Sequence, residues 1–460
     1  MDKLFAFVIG IVLMMLAISK GKMHPFLAIM AISLPLGLFL GIPLVNTADE
    51  NGAVTPGIAA VIGAGFSGTF TSIGIVIILG ALIGTILETT GGAFKLADMV
   101  IKLVGPQHPV LAMQIMGWAV SIPVFCDSGF VILDPIRKAL VRRTKARSVS
   151  MTVALSSGLY ASYMFIPPTP GPIAVATILG AGNNLFLVMV LGLVVSIPAL
   201  IGAFIYASFI GDQMQSTEDL KTDETARSYR QIREGYGTLP DGFSATAPIL
   251  LPILLMAFGS IASISHWTGS ALQMCTFLGT PIIALSVGLV FAIAQLGTAE
   301  KLAAFYEITN ETLKIVGPIL FITAAGGVLG RIIGASGIAD TVADRAGGLR
   351  GMGILFPFLL SGALKSVQGS SMVALTTAAG IVAPLLNVLG LGSPARTALT
   401  VIAIGAGAMT VSHANDSYFW VVTNFGGMTP AQGYKTQTVA TLIEGVCAMI
   451  GVLLLSLLLP

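Results

Sequence analysis

The sequence predicts an all-α, polytopic membrane protein made of two inverted repeats, each with a re-entrant hairpin and a broken helix. Three observations predict it. Of 460 residues, 55% are hydrophobic and 10% charged, where soluble domains carry roughly 25% charged residues, so the main solvent is lipid. Apolar runs of about twenty residues, long enough to cross the hydrocarbon core, recur along the chain. One half of the chain also resembles the other, with polar breaks in matching places.

The runs extend from Leu4 to Ser19, Pro25 to Val45, Ser72 to Leu87, Leu185 to Ile210, Ile249 to Ile264, Thr280 to Gln295 and Thr438 to Leu459. Strands of a membrane barrel would be half as long and would alternate apolar with polar residues. The first run is followed by Lys20, Gly21 and Lys22 with no small-residue cleavage site, which predicts a retained helix and not a signal peptide. Gly80, Gly84, Ile86, Gly91, Ala97 and Asp98 align with Gly326, Gly330, Ile332, Gly337, Ala343 and Asp344. After an interfacial stretch, each copy has an apolar region interrupted by a polar knot, Cys126-Asp127-Ser128-Gly129 in the first and Gln368-Gly369-Ser370-Ser371 in the second. Each then reaches a second break, at Ile166 to Pro172 and at Ser412 to Ser417. The boundaries expected are an N-terminal repeat over 1–211 with its hairpin near 109–136, a linker over 212–244, and a C-terminal repeat over 245–460 with its hairpin near 352–387.

Loops on the cytoplasmic side collect Lys and Arg. The segment after the first knot holds Arg137, Lys138, Arg142, Arg143, Lys145 and Arg147, and the matching segment after the second holds only Arg396. The first hairpin is therefore expected to enter from inside, the second from outside, and the linker to be cytoplasmic. Backbone that leaves the helix inside a bilayer costs several kcal/mol per unpaired group unless protein or a water-filled cavity receives it. Matched breaks in two inverted halves are the arrangement in which secondary transporters build a midplane site.

Other classes fit poorly. Cys126, Cys275 and Cys447 are far apart in apolar segments, which suits neither a disulfide framework nor a zinc site. A net charge of +2 with scattered basic residues gives nucleic acid no surface. There is no His-Glu-x-x-His or Gly-x-Ser-x-Gly motif, so an intramembrane enzyme is not expected, and no soluble cofactor is implied. Gly80, Gly84, Gly326 and Gly330 are expected to be packing positions for close helix approach.

The Phe-Cys-Asp-Ser-Gly-Phe-Val-Ile-Leu knot at 125–133, the Pro-Pro-Thr-Pro-Gly-Pro run at 167–172, the Gly-Ser-Ser-Met-Val-Ala-Leu segment at 369–375, the Asn-Asp-Ser-Tyr-Phe-Trp segment at 415–420 and His-Pro-Phe-Leu-Ala at 24–28 resemble the gluconate permease (GntP) family over nearly the whole chain. That resemblance implies the ion-transporter superfamily, with two inverted repeats, two hairpins, commonly a homodimer, and elevator-like movement of the hairpin domain. It also implies proton symport of gluconate or related sugar acids across the bacterial inner membrane, with one branch taking D-serine. Thr169 stands where the gluconate members carry His, so a shorter hydroxy acid such as glycerate is a further option.

The candidate residues lie at the breaks. Asp127 is expected to be a protonatable coupling site or an acceptor for substrate hydroxyls, against the alternative of capping its hairpin arm, with Ser128 beside it. Lys365 is either a counter-ion for a carboxylate substrate or a cation that snorkels to the outer interface. Ser370 and Ser371 are placed to hydrogen-bond the substrate, and Thr169 would supply a hydroxyl at the matching break. His413, Asn415 and Asp416 occupy the second broken helix. A His three residues before an Asp can pass a proton, whereas Asp416 as a helix cap is the alternative. For Arg331, Glu88 and Glu444 structural pairing is expected. A monovalent anion entering a cell negative inside works against about 2.3 kcal/mol per 100 mV. One proton per anion cancels that charge, and sodium would satisfy the same physics.

Overall fold

The computed structural model describes residues 3–48, 54–105, 107–144, 146–220, 239–264, 267–336, 351–413 and 416–459. Proline sets where many helices begin. Pro25, Pro109, Pro170, Pro281, Pro394 and Pro430 each open one, because at the first helical position the missing N–H would lack a partner anyway.

In chain order, α1 (Lys3–Ser19) packs on α2 (Pro25–Phe39), and a two-strand antiparallel ribbon, Thr47–Ala48 with Val54–Thr55, leads to α3 (Ile58–Thr90). The apolar run from Pro25 to Val45 is thus not one helix. It stops after Phe39, where Gly41 takes a positive φ of 98° that continues no α-helix. Gly91, at φ 79°, ends α3, and α4 (Gly92–Val104) leaves at 77° to its last turns. α5 (Pro109–Val120) and α6 (Cys126–Thr144) flank a break at 121–125, so the first knot is not the interruption itself but the opening turn of α6, and α7 (Ser148–Phe165) and α8 (Pro170–Ile178) flank the proline break. α9 (Leu185–Gln213) and the one-turn α10 (Thr217–Leu220) follow.

The second half contains α11 (Gly242–Ile264), α12 (Gly269–Gly279), α13 (Pro281–Thr298) and α14 (Phe305–Ala335). α15 (Leu355–Gln368) and α16 (Ser371–Val382) meet at Gly369 and Ser370, where Gly369 has φ 82°. α17 (Pro394–Met409) and α18 (Ser417–Phe425) flank the last break, and the short α19 (Pro430–Gly433) passes through a π-helical turn, Tyr434–Thr438, into α20 (Val439–Leu458). Among the described residues six helices are long and apolar enough to span a membrane, or seven if the bent α3–α4 pair is one span.

α7 is the axis of the core. Every one of its residues is buried, as expected of a helix apolar or small on all sides. It is covered by α5 and α9, and α5 approaches so closely that a side chain at Gly158 would run into the Gln114 carbonyl. α3 and α14 form a second closely packed pair, with Gly65 against Val328 and Gly327. Gly80 and Gly84 lie against the carbonyls of Pro168 and Pro123, and Gly326 and Gly330 against Thr376 and Gly380. All four glycines are the packing positions the sequence suggests. The opposite helix faces carry exposed apolar stripes, Val194, Ile197, Ile201 and Ile205 on α9 and Leu442, Val446, Ile450 and Leu454 on α20. Stripes at that spacing, on the outside of the fold, are surfaces for lipid.

One basic residue departs from the loop role the charge pattern gave it. Arg137 is fully buried within α6, its guanidinium paired with Asp134 at 2.6 Å and Glu218 at 2.8 Å. It also donates to Ser148 Oγ at 2.7 Å and to the Phe425 carbonyl at 3.2 Å. Guanidinium geometry satisfies several acceptors at once, so Arg137 joins α6, α7, α10 and the end of α18. Thr217 N completes the joint by donating to the Gly427 carbonyl at 3.0 Å.

Burial alone would raise the Glu218 carboxyl, but Arg137, the Ser148 hydroxyl and Lys138 outweigh it and hold it below its ordinary value of 4.5. A carboxyl depressed in the folded state adds stability that is complete above its unfolded pKa and is lost as pH falls through the folded one. In thermal melts in detergent, Glu218→Gln is expected to lower the midpoint by a few degrees at pH 7, a gap that narrows progressively below pH 4.5. Gly158→Ala, which forces α5 away from α7, is expected to cost about 1–3 kcal/mol in the same assay.

Candidate functional site

The tip of the second hairpin and the second broken helix meet at a buried ion pair. Lys365 Nζ lies 2.7 Å from Asp416 Oδ2, with the two side chains 0% and 6% exposed. Lys365 also donates to the Gly369 carbonyl at 2.5 Å, closing the last turn of α15 on itself. It therefore does not snorkel. Asp416 takes both roles considered from sequence. Its Oδ1 accepts from Tyr418 N at 3.2 Å as the cap of α18, while Oδ2 takes Lys365 and the Ser412 hydroxyl, the latter at 2.5 Å.

Ser370 is exposed and caps α16, accepting from Val373 N at 3.4 Å. Ser371 turns inward and shares a short hydrogen bond with Tyr160 of α7. The Tyr160 ring packs at 5.0 Å from that of Tyr418, tilted by 35°, and the Tyr418 hydroxyl donates to the Ser156 carbonyl at 2.9 Å. Ser156 Oγ in turn donates to Gln437 Oε1 at 2.6 Å. His413 is directed elsewhere: its Nε2 lies 3.0 Å from the Ser366 carbonyl and ties the break to α15, so the His413 and Asp416 side chains have different partners. Asn415 lies outside the described residues.

Asp127 sits in the first turn of α6, close enough to Asp416 and Lys365 for their charges to act on it. One oxygen accepts a long bond from Cys126 Sγ at 3.7 Å, and the other, Oδ1, is buried with no partner among the described residues. Ser128 is half-buried on the same turn. Thr169 is buried but directs its hydroxyl to the Ile166 carbonyl at 2.7 Å, using it to close its own break. A narrow seam lined by Pro123, Phe125, Tyr163 and Thr169 separates the two first-half breaks. Of the sequence candidates, the structure thus gathers Asp127, Lys365, Ser371 and Asp416, leaves Ser370 and Thr169 in local backbone roles, and uses His413 to tie its break to α15.

Tyr160, Tyr418, Ser412 and Gln437 were not anticipated. The signal for the first was the density of Ser and Tyr in α7, SVSMTVALSSGLYASYMF, which is too polar for a helix facing lipid and so must face protein. A cavity of about 800 Å³ lies away from the pair, between α3, α14, α8 and the end of the second hairpin, and Arg331 lines it with Thr177 and Pro384. Among the described residues no cluster has the ligands of a metal site.

Polar groups assembled from helix breaks and enclosed in an apolar multi-span bundle define a membrane transport protein. Residues 3–458 match the model of the GntP family permeases, and the chain belongs to that family. Its members are permeases and not enzymes. It is 30% identical to a gluconate permease of Zymomonas mobilis, covering 96% of this chain and 95% of that one. It is 31% identical to the low-affinity gluconate transporter of Escherichia coli K12, covering 98% and 97%, and 31% identical to the D-serine transporter DsdX of the same strain, covering 97% of each. Its fold resembles that of the Alcanivorax borkumensis YdaH transporter, with a TM-score of 0.64 at 15% identity over 94% and 97% of the two chains.

Removing one partner of a buried ion pair leaves an uncompensated charge, at about 3–5 kcal/mol, whereas replacing both by apolar groups is often near neutral. Lys365→Met and Asp416→Leu are each expected to be strongly destabilised in detergent melts, and the double variant to recover most of that loss without recovering transport.

Proposed function

We propose that the protein imports gluconate, or a related small hydroxy or sugar acid, across the bacterial inner membrane by proton symport. The observation that carries this reading is the Lys365–Asp416 pair, closed to water at the junction of two helix breaks. A substrate carboxylate that takes Lys365 displaces Asp416, and the displaced carboxylate, buried and unpaired, would cost several kcal/mol unless it accepts a proton. Anion binding and proton binding are thereby linked at one place. Around the pair, the free Oδ1 of Asp127 offers an acceptor for substrate hydroxyls, and the hydroxyls of Ser371, Tyr160 and Ser412 can donate. The gluconate transporters among the relatives support a sugar acid as the substrate class.

On this reading the elements of the two halves, 1–211 and 245–460, form inverted repeats joined by a cytoplasmic linker. The hairpins and broken helices move together past the α3–α14 pair in an elevator-like step, in a homodimer. Access to the closed pair requires such a movement.

One observation favours a second reading. An amino acid needs an acidic partner for its ammonium as well as a cation for its carboxylate, and Asp127 and Lys365 supply the two near each other. D-serine, the substrate named for one relative, would satisfy both. Labelled gluconate uptake into proteoliposomes under an inward proton gradient, with glycerate, other sugar acids and D-serine as competitors and a sodium gradient as control, decides between them. Uptake driven by protons, competed by sugar acids and reduced at least ~100-fold in Lys365→Met is the expected result, since the loss of a buried charge partner is worth more than 2.7 kcal/mol. Competition by D-serine alone, or dependence on sodium alone, would overturn the substrate or the coupling ion.

A further inference from the structure

α20 carries a second buried acid, outside the ion pair. Glu444 is 0% exposed, and both of its carboxylate oxygens are buried without a hydrogen-bond partner among the described residues. The expectation that it would be structurally paired is not met. It lies on the inward face of α20 with Gln437, Ala440, Thr441 and Ala448, opposite the lipid stripe. Among the described residues no hydrogen bond or ion pair joins it to a cation. α20 packs against α9, α17 and α7. On these, Tyr206 donates to the Lys435 carbonyl, Asp212 is exposed, Arg396 reaches the Gly390 carbonyl, and Tyr160 is bonded to Ser371. The titratable groups within reach of its charge are Tyr418 and Cys447. A carboxylate so placed cannot remain ionised at tolerable cost, so the stable form is the neutral acid.

The same face leads to the substrate site. One turn before Glu444, Thr441 Oγ1 accepts from Ser412 N at 3.0 Å, and Thr438 donates to the Ser412 carbonyl at 2.6 Å. Ser412 Oγ then donates to Asp416 Oδ2. Gly445 lets the helix close on the break, since a side chain there would strike Thr410 and the Ala406 carbonyl. The π-helical turn Tyr434–Thr438 just upstream adds a residue to the helix where Thr436 and Gln437 are buried, a distortion common at functional sites.

We propose that Glu444 is the proton-holding group of the transport cycle: neutral while the site is closed, it gives up its proton only when the movement that opens the site brings water to it, and that water passes the proton to Asp416 as the substrate carboxylate takes Lys365. The proton leaves the Glu444 carboxyl, which is hydrated while ionised, Asp416 becomes neutral and releases the proton inside, and Glu444 takes its next proton from water on the outer side. This deepens the proton-symport reading and rests on it.

Two measurements on the full-length protein test it. In proteoliposomes, Glu444→Gln is expected to abolish accumulation of labelled gluconate under a proton gradient while retaining gluconate counterflow exchange, which needs no net proton movement, and Glu444→Asp to restore part of the accumulation. Undiminished proton-driven accumulation in Glu444→Gln overturns the proposal. The second measurement does not depend on the substrate. The infrared spectrum of the wild type at pH 7 should contain a protonated-carboxyl C=O band that the Glu444→Gln spectrum lacks, and identical spectra would overturn the proposal even for a variant that no longer transports. If the wild type accumulates no acid under a proton gradient while that band is present, the symport reading fails and the protonated state of Glu444 stands.

Discussion

The buried ion pair between Lys365 and Asp416 organises the helix breaks of the second half of this chain. In a bundle whose outer faces meet lipid, Lys365 and Asp416 can be retained only because each satisfies the other and because local groups take up what remains: the Gly369 carbonyl on one side, Ser412 and Tyr418 N on the other. The pair lies between α15 and the start of α18, so it holds the tip of a hairpin against the interruption of a neighbouring helix. Its partners explain much of the surrounding sequence. Gly369 supplies the turn, Ser371 reaches Tyr160, and α7 remains small and polar enough to stay wholly inside.

The breaks elsewhere obey the same constraint with different means. Thr169 closes the proline break by bonding its own upstream carbonyl, while Ser121 closes the break before α6 by donating to the Val124 carbonyl. Asp127 is the exception, because one of its oxygens has no donor. Leaving a buried acceptor unmade costs roughly 1–3 kcal/mol, a cost that structure alone does not recover and that a bound ligand would.

Further along α6, near its middle, Arg137 gathers Asp134, Glu218, Ser148 and the Phe425 carbonyl into one joint. It connects the first hairpin to the last break through the chain that follows α9. A charge count could only place Arg137 among loop residues. Its burial depends on Glu218, more than eighty positions away in sequence, which no local pattern links to it.

The sequence by itself determined the solvent, the helical class, the positions of the interruptions and the family, because each follows from local composition: long apolar runs, prolines at helix starts, and polar knots where lipid allows none. It also picked out Asp127, Lys365, Ser371 and Asp416, since a charge or hydroxyl in an apolar segment is visible without a fold. Only the tertiary structure decided which of these meet. That Lys365 pairs inward with Asp416, that His413 serves Ser366, that Tyr160 and Tyr418 close the site, and that Glu444 has no partner are facts of distance between segments far apart in the chain. The physical reason is that desolvation and pairing are set by neighbours in space, and the sequence specifies those neighbours only through the packing of the whole bundle.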